Sequence, residues 1–121
     1  MPNIRVIRLS SIYDIKLLFQ LEEIHMLFQV IATHSWETCE GNSSNPSPMA
    51  ERQRWVEGNE EVRVIGAWGN HLRHTHFAVV EANDYDAIHE LLRPQGLKGT
   101  VEVLPVGDLI STRKASGNWG K

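Results

Sequence analysis

The chain has 121 residues, of which 41% are hydrophobic and 22% charged, with a formal net charge of -3. That length holds one domain that can bury a core without disulfides or a structural metal, and a mildly acidic balance with scattered basic residues offers nucleic acid no broad surface. The single cysteine, Cys39, excludes an intrachain disulfide, and no apolar run approaches a bilayer span, so a cytoplasmic protein without a membrane partner is expected.

Residues 1–25 stand outside the pattern that follows. RVIRLS suits a short strand, and Ile12, Ile15, Leu18 and Leu21 with Leu17 and Ile24 fall on one side of a helix. The stretch reads either as an added amphipathic helix that packs on the domain or a partner, or as an extension upstream of a natural start at Met26. LFQVIAT, residues 27 to 33, is a β-branched apolar run and predicts the first core strand. SWETCEGNSSNPSP then collects loop residues, and Ser47-Pro48 resembles an N-cap with proline at the first helical position. A short helix is therefore expected over about 48–59, with Met49, Trp55 and Val56 inward and Gly58 at its end.

Two strand-like runs, about 62–68 and 72–81, flank a Gly69-Asn70 turn and form a hairpin. Asn83-Asp84 caps a helix whose inward face holds Tyr85, Ile88, Leu91 and Leu92, stopped by Pro94 and Gly96. TVEVLPV, residues 100–106, is the last strand, and the tail that follows has little to bury. The domain thus spans 26–106, with an extension at 1–25 and a tail at 107–121.

The order β-α-β-β-α-β is the split βαβ, or ferredoxin-like, α+β arrangement, with both helices on one sheet face. Alternation assigns Phe28, Val30, Ala32, Val62, Val64, Trp68, Phe77, Val79, Val101 and Val103 to the covered face. The other face then carries Leu27, Gln29, Ile31, Thr33, Arg63, Ile65, Ala67, His74, His76, Ala78, Val80, Glu102 and Leu104. It is too apolar for water and too polar for a core, which predicts cover by a second subunit.

LFQVIATHSWETC, GAWGN with HTHFAVVEANDYDAIHELL, and LKGTVEVLPV resemble the dimeric α/β-barrel superfamily, most closely its uncharacterised DUF3303 group. The resemblance covers about Leu27 to Val106. It implies a homodimer or higher oligomer in which two sheets close a barrel. Superfamily members include cofactor-independent monooxygenases, isomerases, haem-degrading enzymes and metal binders, so the fold does not choose the function.

His74 and His76 are the sharpest chemical signal. Two positions apart on one strand, they would share a face and could ligate a divalent transition metal such as Zn, Ni, Cu or Fe. A third ligand could come from Glu102 or from the same pair on the dimer mate. Without metal, the same histidines would bond to Gln29 and Glu102, and Arg63 could hold the carboxylate of a small ligand. His34, Glu37 and Cys39 form a second candidate group, expected to sit with Glu81. Taking the first and third strands as parallel sets this group on the order of 15 Å from His74 and His76. The expected function is metal or small-ligand binding at the polar face through His74 and His76, with Gln29, Arg63 and Glu102 in support. The alternatives are a small-molecule monooxygenase or isomerase with a histidine base, and a structural assembly module.

Overall fold

A computed structural model describes residues 25–41, 48 and 50–121. Of the expected extension 1–25, all but His25 lies outside the described residues, as do Ser47 and Met49. Four strands, β1 Met26–His34, β2 Val62–Asn70, β3 Thr75–Ala82 and β4 Gly99–Val106, form one sheet in the order β2-β3-β1-β4. Each neighbouring pair is antiparallel. This is the ferredoxin-like order, in which the β2-β3 hairpin and the two crossovers place β3 and β4 on either side of β1.

Helix α1, Tyr85–Gly96, makes the second crossover. Asp84 caps it by accepting the Ala87 N–H at 2.8 Å, and Ala87, Ile88 and Leu92 bury its inner face. Tyr85, expected inward, is exposed, and the helix passes through Pro94 to end at Gly96. The core lies between α1 and the sheet, where Ile88, Val30, Val62 and Val80 are almost fully buried. Each such side chain contributes roughly 1.5–3 kcal/mol.

The first crossover is not the expected helix. Over 48–59 the described chain makes turns and one 3-10 turn, Arg54–Glu57, entered through Gln53 in the left-handed region at φ 55°. A left-handed residue in the middle of the stretch is incompatible with continuous α-helix. Among the described residues of this segment Trp55 alone is buried, where it joins the core. Past β4, in the tail expected to have little to bury, a second helix, α2, spans Leu109–Ala115. Asp108 caps it by accepting the Ser111 N–H, and it buries no side chain.

The face assignment holds for β1 and fails for β3. Val80 pairs with Phe28, Ala78 with Val30 and His76 with Ala32, so His76, Ala78, Val80 and Ala82 lie on the covered side, and Phe77 and Val79 lie on the open side. FAVVEA is apolar on both parities, so alternation cannot phase it. In β2 a bulge between Val64 and Gly66 resets the alternation. It turns Trp68 onto the open face opposite Phe77, with the indole lying over Gly66.

Gly99 begins β4 against the end of β1, where an added Cβ would sit 1.9 Å from the Thr33 carbonyl oxygen. Gly99→Ala should therefore cost about 1–3 kcal/mol in denaturant unfolding. Gly96→Ala, with open space around it, should be neutral or slightly stabilising. Equal stabilities for the two variants would refute the close approach.

Candidate functional site

The hairpin turn is longer than Gly69-Asn70. β2 continues to Asn70, whose side chain accepts the Arg73 N–H at 3.2 Å, and a 3-10 turn, His71–Arg73, leads to His74. His74 is thus the residue that closes the turn, with φ 51° and ψ 42°. Histidine tolerates the left-handed region better than most side chains, though at a cost. His74 therefore does not stand beside His76 in a strand. Its carbonyl accepts the His34 N–H at 3.0 Å, which ties the end of β1 to the turn.

Antiparallel pairing of β1 with β3 brings together what the parallel premise had separated. Thr33 lies opposite Thr75, so His34 stands next to the start of β3. The His34 ring is 5.2 Å from that of His74, edge-on, and 5.6 Å from that of His76. His76 occupies the covered face between Ala32 and Gly69, with the Trp55 ring 6.2 Å away. An added Cβ at Gly69 would come within 3.2 Å of its Cδ2, so that glycine leaves the imidazole its room.

Cys39 arrives from the loop after β1, which begins in a turn closed by bonds from Thr38 to Ser35. The ligating atoms of His34, Cys39 and His74 all lie within 4.8 Å of one another. Two separate clusters were expected; among the described residues His34, Cys39, His74 and His76 stand together in one. Glu81, expected beside His34, instead pairs with Leu27 at the opposite end of β1, where His25 lies 3.7 Å from its carboxylate.

These groups line a cavity of about 610 Å³, enclosed by the loop that carries Cys39 and Glu40, by Arg52 and Gln53, and by Gln95 and Lys98. Four of the six histidines border it, with His71 exposed at its rim. Within it His34 Nε2 and His76 Nδ1 are buried and lack a hydrogen-bond partner. Burial holds the His34 pKa below the ordinary 6.5, helped by the neighbouring His76, His74 and Lys98 charges. Burial likewise lowers that of His76, followed by the effect of His71. Both imidazoles are neutral at physiological pH and carry lone pairs for a metal or a proton.

Gln29, Arg63 and Glu102 are not brought to this cavity. They belong to the open face, as their pairings with Val79, Glu81 and Ile31 require, whereas His76 projects from the other side. Arg63 and Glu102 are on the two outermost strands, three inter-strand spacings or about 14 Å apart, too far for an ion pair.

The sheet order, the helix α1 packed on one sheet face and the histidine-lined cavity at one end of the strands define a ferredoxin-like α+β domain. The chain belongs to the family described as domain of unknown function (DUF3303), which it matches over residues 26–118. Searches of curated proteins and of solved structures give no match. Among the described residues no helix is long and apolar enough to cross a membrane.

The lowered histidine pKa values make acid destabilising. A proton binds these groups more weakly in the folded chain than in the unfolded one, so their contribution is present above pH 6.5 and lost as pH falls through the lowered values. Denaturant unfolding of metal-free protein between pH about 7.5 and about 5 should show this loss. The paired substitution His34→Gln/His76→Gln should flatten it, and an unchanged slope would refute the assignment.

Proposed function

We propose that this protein binds a divalent transition metal ion through His34, Cys39 and His74, with His76 beside the ion, and presents it to the cavity. The observation that carries this reading is the convergence of two imidazoles and a thiol, donors within 4.8 Å of one another, on a pocket where buried imidazole nitrogens lack partners. Around a tetrahedral ion with ordinary Zn–N and Zn–S bonds, donors stand about 3.5 Å apart. Two nitrogens and a sulfur suit zinc, cobalt, nickel or copper over magnesium or calcium. A reduced thiolate ligand also fits the cytoplasmic setting expected from the single cysteine.

Three protein ligands leave a coordination position for water or substrate. The adjoining volume of about 610 Å³ accommodates a small organic molecule. The competing reading is a metal-free enzyme in which a neutral imidazole takes a substrate proton. Elemental mass spectrometry of untagged protein decides between them. Near-stoichiometric metal is expected in the wild type, with at least about tenfold weaker binding in Cys39→Ser and in His34→Ala. Wild-type protein that carries no metal and takes up neither added Zn²⁺ nor Co²⁺ would overturn the metal reading.

The open sheet face supports self-association. Leu27, Ile31, Phe77 and Val79 are only half-buried there, and Trp68, Leu104 and Val106 are 61%, 47% and 41% exposed. A contiguous apolar surface of this kind favours a partner, and a second copy presents the matching face. Light scattering should give twice the chain mass for the wild type and the monomer mass for Phe77→Glu. A wild-type monomer at micromolar concentration would refute the dimer.

A further inference from the structure

Cys39 is the one donor of the cluster that no strand or strand-closing turn holds. His34 ends β1 and His74 closes the hairpin, whereas Cys39 lies on a loop. The residues on either side of it are both tied to Lys98. The Thr38 hydroxyl donates to the Lys98 carbonyl at 2.7 Å, and the Lys98 ammonium pairs with the Glu40 carboxylate. This ion pair is largely shielded, with the two side chains 24% and 18% exposed. Lys98 is itself fixed, since its N–H donates to the Gln95 carbonyl at 3.1 Å and its neighbour Gly99 backs directly onto Thr33 and His34. The anchor of the loop and the first histidine therefore share one piece of sheet.

We infer that Lys98 is a positioning residue that brings Cys39 into the coordination sphere of His34 and His74, so that the metal sees a thiolate as well as imidazoles. This inference rests on the metal reading above. Removing the ammonium leaves Glu40 as a shielded, uncompensated carboxylate. The carboxylate then turns to water, and Cys39, next to it in the chain, goes with it. The ion keeps its imidazole ligands and loses sulfur.

Co²⁺ reports the difference directly, because thiolate coordination adds a sulfur-to-cobalt charge-transfer band in the near ultraviolet that imidazole ligands do not produce. Wild-type protein titrated with Co²⁺ should show the band, Lys98→Met should lose most of it and bind Co²⁺ at least about tenfold more weakly, and Lys98→Arg should recover it. Glu40→Gln and Thr38→Val loosen the same loop from its other contacts and should each weaken the band, which keeps the test decisive if Lys98→Met fails to fold. A full-strength band in folded Lys98→Met, or in both Glu40→Gln and Thr38→Val, would overturn the role of Lys98 and leave the metal site standing. A wild-type protein that gives no Co²⁺ spectrum would overturn both.

Discussion

Antiparallel pairing of β1 with β3 decides where the candidate site of this protein stands. Because Thr33 faces Thr75, the C-terminal end of one strand meets the N-terminal start of the other, and His34, His74 and His76 gather at a single edge of the sheet. The main-chain bond from His34 to His74 locks that meeting. The rest of the cavity depends on it: Trp55 closes over His76, the loop with Cys39 folds back from the end of β1, and Lys98 secures the loop where β4 begins beside β1.

The sheet also divides the molecule into two surfaces of different composition. The side under α1 combines an apolar core with the polar cluster at one end, where desolvation keeps imidazoles neutral. The other side carries Phe77, Val79, Ile31 and Trp68 together with Gln29, Arg63 and Glu102, and no described helix covers it. The histidine cluster and the exposed apolar surface therefore lie on opposite faces of the sheet.

The ferredoxin-like order was legible because its strands are β-branched runs with clear borders and α1 has both an Asp84 cap and an apolar stripe. The helix over 48–59 was not, because Ser47-Pro48 and Trp55 imitate a helix start and face, while the left-handed Gln53 leaves no mark in the residue type. β3 was misphased because FAVVEA is apolar on both sides, and the larger Phe77 and Val79 were assigned inward where Ala78 and Val80 pack instead. The union of His34 and Cys39 with His74 was available from topology. A right-handed crossover makes the first two strands parallel and a hairpin reverses the third, so the first and third must run antiparallel. The premise that they were parallel hid the site. The turn at His74 and the bulge at Gly66 are backbone events that side-chain periodicity does not record.

The bond between His34 and His74 joins residues 40 apart in the chain, and the strand between them in sequence, β2, is not the strand that pairs with β1. No local fragment contains the cluster: the hairpin alone has His74 and His76 without His34 or Cys39, and β1 with its loop has the reverse. The cluster is complete only when β1 is paired with both β3 and β4, contacts between residues far apart in the chain that carry a loop-closure cost. The closeness of His34, Cys39 and His74 is therefore a property of the completed sheet, and any change that loosens the pairing of β1 spreads the three donors apart.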